Sequence, residues 1–388
     1  MNDKERWVIF GGELLTPAPA PAYTAILIEE GKIASLLSAP PAIEPRESAL
    51  DATGLYIAPG FIDIQINGAY GYDFTTRPTD ISHVALQLPQ TGVTAFLPTI
   101  VTSSPKTYQD ALDTLSTTDQ PNAAQVLGLH FEGPYINPLY AGAHAPAFIQ
   151  QPMNANLTEW LSFPRLKMLT LAPELPGSDT LIRAAHQAGI VISAGHSNAT
   201  YEQAIGAFDA GVRCVTHVFN AMRSFHHREP GLVGAALDDA RVTVTIIPDG
   251  IHLHPAVIRL VRQIKGPTGI ALITDAMAAM GQPADVYTLA GRSVFVDPAH
   301  GARLADGTLA GSILSMDQAI RNLMTFTGCS LTDALVTAST TPANLLGLGK
   351  CKGRLAPSYD ADIVLLTRDL RVAATFVKGH LAYRSPMV

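Results

Sequence analysis

The chain has 388 residues, 47% of them hydrophobic, a formal charge of −7 and an isoelectric point near 5.9. That length and apolar content suit one large buried core and a smaller one. The acidic balance argues against a nucleic-acid or anionic-membrane partner, yet leaves room for a small anion held by a local cluster of Arg and His. Cys214, Cys329 and Cys351 are scattered without CxxC spacing, which fits a reducing compartment and neither a disulfide framework nor a thiolate zinc site. No apolar run approaches the roughly 18–20 residues of a membrane span. The opening "MNDKERWVIFGGELL" lacks the long apolar stretch of a secretion signal. A soluble, cytoplasmic protein is the expectation.

Residues 7–56 read as short strands separated by Gly turns. A unit then recurs: an apolar, β-branched run closed by a polar residue and followed by a helix-like stretch. The runs are "FIDIQI" (61–66), "VTAFLPTI" (93–100), "VLGLHFEG" (126–133), "LKMLTLAPE" (166–174), "VISAGHS" (191–197), "CVTHVFN" (214–220), "VTVTIIPDG" (242–250) and "GIALITDA" (269–276). Such near-continuous apolar runs point to parallel strands buried on both faces. Between them, "SDTLIRAAHQAG" (178–189) opens with a Ser/Asp cap and closes on Gly, as a helix does. Residues 284–312 read as a β-hairpin excursion after the last run, and 315–327 and 331–346 as helices. Residues 353–388 resume the style of the N-terminal segment. The expected fold is α/β: a (β/α)8 TIM barrel over 57–352, with a small β-sandwich domain built from both chain ends, 1–56 plus 353–388. A doubly wound open sheet is the alternative.

In such a barrel the site lies where the strands end. Those ends carry Gln65, Asn67, Thr99, Glu132, His196, His217, Asn220, Asp249 and Asp275. A single strand-end histidine is ordinarily a satisfied core or loop residue. Two imidazoles and two carboxylates from four strands are instead the ligand set of zinc or iron(II). Glu132, His196 and His217 divide best as ligands, leaving an open position for water. Asp275, in "LITDAM", either caps the next helix or serves as general base and then general acid. "SFHHREPG" (224–231) reads as a solvated basic loop or, with "PDGIHLHP" (248–255) and His144 of "AGAHAP" (141–146), as a means of recognising a polar ligand. Neither GxxxxGK[ST] nor GxSxG occurs, which disfavours nucleoside triphosphate and serine-hydrolase chemistry.

The stretches "APGFIDIQINGAYGYDF", "LHFEGPYINPLYAGAHAP", "SAGHSNATYEQA", "VTHVFNAMRSFHHREPGLVGA", "PDGIHLHP", "LITDAM" and "LADGTLAGS" follow one another in this order. Across essentially its whole length the chain thereby resembles the N-acetylglucosamine-6-phosphate deacetylases of the amidohydrolase superfamily. The resemblance implies one divalent metal per subunit, Zn2+ or Fe2+, on Glu132, His196 and His217. It implies that Asp275 shuttles the proton and that His144 polarises the acetyl carbonyl. Ala143, Asn220, Ala221 and the turn of Asp249, Gly250, Ile251 and His252 would line the sugar, as would Leu309, Ala310 and Gly311. Arg228, with His227 beside it, would meet the phosphate from the neighbouring subunit of a homodimer.

Members with His-x-His on the first strand hold two metals and those with Gln-x-Asn hold one, so "DIQING" implies a vacant first position, neutral amides being poor ligands for borderline metals. The expected reaction converts N-acetyl-D-glucosamine 6-phosphate to D-glucosamine 6-phosphate and acetate. The alternatives are an N-acetylgalactosamine-6-phosphate deacetylase, a cyclic-amide or dipeptide hydrolase on the same scaffold, and a catalytically silent sugar-phosphate sensor.

Overall fold

Eight parallel strands form at the apolar runs: β1 Phe61–Ile66, β2 Val93–Val101, β3 Leu129–Glu132, β4 Leu166–Leu171, β5 Val191–Ala194, β6 Val212–Val215, β7 Thr243–Ile246 and β8 Ile270–Leu272. The computed structural model describes residues 6–15, 23–39, 48–115, 120–154, 163 and 165–386. Each strand pairs in parallel with the next, from β1 through β8. β1 and β2 are buried along their whole length, as strands covered on both faces must be. No ladder joins β8 to β1 among the described residues. The ring closes just past the strand ends, where Asp275 N–H donates to Gln65 O at 2.9 Å and Asn67 N–H to Ala276 O at 2.8 Å. That closure rules out the open-sheet alternative and places the chemistry-bearing residues 65–67 and 275 at the seam.

Helices alternate with the strands: α1 Ile81–Gln87, α2 Pro105–Thr114, α3 Ser178–Gln187, α4 Tyr201–Ala210, α5 Gly231–Asp238, α6 Pro255–Lys265, α7 Met316–Thr327, α8 Leu331–Ala338 and α9 Thr340–Leu345. α4 starts with a capping box between Thr200 and Gln203 and stops at Gly211. The Ser/Asp cap expected for α3 is not one. Gly177 stands at the cap with φ 89°, while the Ser178 hydroxyl turns inward to Ala172 O. His254, the second histidine of "PDGIHLHP", caps α6 by accepting from Ala256 N–H at 3.2 Å.

At the chain ends, one sheet pairs strand Trp7–Phe10 with Ala25–Glu29 and Ser48–Asp51, and Lys32–Leu37 extends it. A second sheet sets Tyr56–Pro59 against Ile363–Leu366, followed by Val372–Val377 and His380–Arg384. Ile9, Ile26 and Ile28 of the first sheet pack on Ile57, Ile363 and Phe376 of the second, giving a core separate from the barrel's. The excursion after β8 has three antiparallel strands, not the two of a hairpin: Val286–Leu289, Arg292–Asp297 and Gly301–Arg303. The extra strand follows the turn at Asp297–His300, and Val294 and Ala302 pack with Met277 and Ala310 beneath it.

Candidate functional site

Three buried side chains converge at the barrel mouth. Glu132 ends β3, and Oε1 of its carboxylate lies 3.2 Å from His196 Nε2 and 3.0 Å from His217 Nε2. One donor atom from each of the three lies within 4.8 Å of the others. The backbone bends sharply to aim them: His196, His217 and Asp275 have φ of 48°, 31° and 47°, in the left-handed region that costs a non-glycine residue about 1–3 kcal/mol. His217 N–H donates to Thr245 Oγ1 at 2.7 Å, which helps hold its bend. His196 Nδ1–H donates to Tyr140 O at 2.7 Å, leaving the Nε2 lone pair facing Glu132. That orientation, with the outer nitrogen tied to a carbonyl, is the one a metal-binding imidazole takes. Nδ1 of His217 is buried and has no hydrogen-bond partner among the described residues.

Burial alone would raise the Glu132 carboxyl, but the surrounding imidazoles of His144, His196 and His217 hold it well below the usual carboxylate range. An anionic oxygen donor and two imidazole Nε2 atoms, meeting at one point beside a cavity, fit a single divalent cation.

The strand-β1 amides serve the carboxylates. Gln65 Nε2 donates to Glu132 Oε1 at 2.9 Å and to Asp275 Oδ1 at 3.3 Å, and Asn67 Nδ2 donates to Asp275 Oδ1 at 2.7 Å. Their N–H groups therefore stand toward the two negative side chains, and their own oxygens are buried without partners among the described residues. Burial and then the Glu132 charge push the Asp275 carboxyl up to about 6. Behind it lies Asp63, inside β1, which accepts from Thr274 Oγ1 at 2.5 Å and from Thr274 N–H at 3.3 Å.

His144 reaches the cluster from the loop after β3, its Nε2 3.6 Å from Glu132 Oε2. Thr102 N–H donates to its Nδ1 at 3.2 Å. An Nδ1 that accepts leaves the ring proton on Nε2, a donor on the cavity wall beside Glu132 Oε2. Burial, and then the neighbouring His196, push this imidazole down to about 4, so the ring is neutral at pH 7.

These groups face a cavity of about 430 Å3. Of the residues expected to line a sugar, Ala143, His144, Asn220, Ala221, His252, Leu309 and Gly311 border it. Asp249, Gly250, Ile251 and Ala310 do not. Asp249 instead stands behind His252: its Oδ2 accepts from His252 Nδ1–H at 2.7 Å and its Oδ1 from the Ile251 and His252 N–H groups, both at 2.8 Å. Burial raises the Asp249 carboxyl, and the His252 contact outweighs it, so the net shift is downward. Ala310 is fully buried under the excursion. His227 and Arg228 lie on an exposed turn, with Arg228 Nη1 donating to His227 Nε2 at 2.8 Å, and Arg228 borders a different, smaller cavity beside Thr200 and Glu229. Within one chain they are outside the main cavity.

Sequence reasoning passed over Asp63, Thr102 and Arg303. The first two orient site residues, and the third lies on the cavity wall.

The parallel barrel and the Glu/His/His cluster at its mouth define a β/α-barrel protein with a site suited to one divalent cation. The amidohydrolase family model matches residues 56–382. N-acetylglucosamine-6-phosphate deacetylase of Danio rerio is 39% identical over 349 residues, covering 86% of each chain. N-acetylgalactosamine-6-phosphate deacetylase of Escherichia coli O157:H7 is 37% identical, covering 92% of this chain and 93% of its own. The crystal structure of N-acetylglucosamine-6-phosphate deacetylase from Pasteurella multocida superimposes with a TM-score of 0.90 at 29% identity, covering 97% and 99% of the two chains. The chain belongs to the amidohydrolase family.

Proposed function

We propose that this protein hydrolyses the N-acetyl group of N-acetyl-D-glucosamine 6-phosphate, giving D-glucosamine 6-phosphate and acetate. The observation that carries the reading is a base, Asp275, and a neutral N–H donor, His144 Nε2, both set around one Glu/His/His cluster and both facing the same cavity. Glu132, His196 and His217 would hold one divalent cation, zinc or iron(II). Such a cation would supply Lewis-acid chemistry, lowering the pKa of a water toward about 7.

The chain's own residues do the rest. Asp275, ionised, takes the proton of the attacking water. His144 Nε2–H hydrogen-bonds the acetyl carbonyl oxygen as negative charge grows there. Asp275 then delivers its proton to the departing nitrogen, which could not otherwise leave as an amide anion. His252, braced by Asp249, and Asn220 present polar groups to the sugar. Arg228, outside its own chain's cavity, serves the phosphate of a partner's site in a homodimer.

The name of the Escherichia coli relative favours a second reading, with the galacto epimer as substrate. Rates on the two epimeric 6-phosphates, measured with metal content, test both. The gluco sugar is expected to have the higher kcat/KM, and a preference for the galacto sugar would replace the first reading with the second. One equivalent of metal per chain is expected, because the Gln65 and Asn67 N–H groups occupy the side of the carboxylates where a further cation would sit. Two equivalents retained after dialysis would sink that assignment. No described helix is long and apolar enough to cross a membrane.

A further inference from the structure

The phosphate and acetamido groups of a hexosamine 6-phosphate sit at C6 and C2, on well-separated parts of the ring. The acetamido group must meet Glu132 and Asp275, two carboxylates that repel a phosphate dianion. The phosphate therefore needs a cation elsewhere in the same cavity. Among the residues bordering it, one alone is Lys or Arg, and that is Arg303.

Arg303 closes the third strand of the excursion, next to a turn in which Leu304 N–H donates to Thr308 O and Gly307 N–H to Leu304 O, both at 2.9 Å. The turn brings Thr308 and Leu309 onto the cavity wall with it, and Arg303 bridges to Leu309. Its half-buried side chain is pinned: Nε donates to His300 O at 2.9 Å and Nη1 to Gly307 O at 2.7 Å. Nη2 has no partner among the described residues. The nearby Asp306 carboxylate is engaged by Thr308 N–H at 2.9 Å, so it does not neutralise the guanidinium by direct contact. A cation held still by its own strand and turn, with an edge unoccupied, loses little freedom on capturing an anion.

We propose that Arg303 is a phosphate-recognising residue supplied within the chain, setting preference for a phosphorylated over a neutral sugar before any partner's arginine is considered. This rests on the deacetylase reading above, and it makes Arg228 a second cation at that end of the substrate rather than the sole one.

The test uses metal-loaded enzyme carrying Arg303→Met or Arg303→Lys, with two readouts. The first is kcat/KM on N-acetylglucosamine 6-phosphate relative to N-acetylglucosamine. The second, independent of turnover, is calorimetric binding of inorganic phosphate. Losing a charge-assisted hydrogen bond predicts that Arg303→Met lowers the kcat/KM ratio and weakens phosphate binding by about ten- to a hundred-fold each. Arg303→Lys, a point charge without the pinned fork, falls several-fold and decides the matter if the Met variant does not fold. Equal losses on both sugars with phosphate binding intact would make Arg303 a turn-holding residue and overturn the proposal. Wild-type enzyme inert on both sugars would overturn the deacetylase reading. Phosphate binding that depends on Arg303 would still support the anion site in that case, and binding that ignores Arg303 would remove it.

Discussion

Asp275→Asn is expected to keep the fold and the metal and to lower kcat by about 10²–10⁴-fold, the usual contribution of a general acid–base. The amide is isosteric, its oxygen can still accept from Asn67 Nδ2, and the backbone bonds that close the seam between β8 and β1 are untouched. What it cannot do is take a proton from water and return one to nitrogen. Its pH profile gives a second check. In the metal-free chain burial and the Glu132 charge hold the Asp275 carboxyl near 6, and a cation on Glu132 offsets part of that repulsion. Only the ionised form is a base, so wild-type kcat/KM should fall as pH drops through a value at or below about 6, the shifted carboxyl's own range. The Asn variant should lack that limb. A variant with a tenth or more of wild-type kcat, or one that keeps the limb, would take Asp275 out of the proton transfers.

Glu132→Gln should be more damaging still, because it removes the one anionic ligand rather than a base. Glu132 is the hub of the cluster: Oε1 meets His196, His217 and Gln65, and Oε2 faces His144. A neutral glutamine there leaves a cation with two imidazoles and no anionic ligand in a buried site. The expected loss in metal affinity exceeds the roughly 10–100-fold that follows from removing a residue that merely orients a ligand. Elemental analysis after dialysis against a weak chelator should find the variant empty where wild type keeps its metal, with activity lost in step. A Glu132→Gln enzyme that holds metal and turns over would show that the carboxylate is not a ligand.

The barrel was readable because its strands are buried on both faces, so each run stays apolar until it reaches the mouth and turns polar. Glu132, His196, His217 and Asp275 are visible by that rule: each follows an apolar run, and each lies in the cluster or within reach of it. Residues acting between distant segments were not visible. Asp63 looks like an ordinary polar break in "FIDIQI", and its partner Thr274 is 211 positions away. Arg303 ends a three-residue strand with no periodic pattern, and only the folded excursion brings it to the cavity wall. The resemblance groups Gly250 and Ile251 with His252; in this chain His252 borders the cavity and Ile251 packs toward Gly301. His254 has the same chemistry as His252, two positions on, and it is used to start α6.

The second sheet at the chain ends has a consequence for synthesis. Strand Tyr56–Pro59 leaves the ribosome early, with only the two-residue strand Glu13–Leu14 available on one side. Its other neighbour, Ile363–Leu366, is encoded about 300 residues later. At about 5–20 residues per second, translation leaves that edge unpaired for roughly 15–60 s while the barrel is made. Ile9, Ile26, Ile28 and Ile57 wait through the same interval without Ile363, Leu365 and Phe376 to cover them. Nascent chains stalled before residue 363 should therefore carry a sticky, chaperone-binding patch at their N-terminal end, which release of the full-length chain erases.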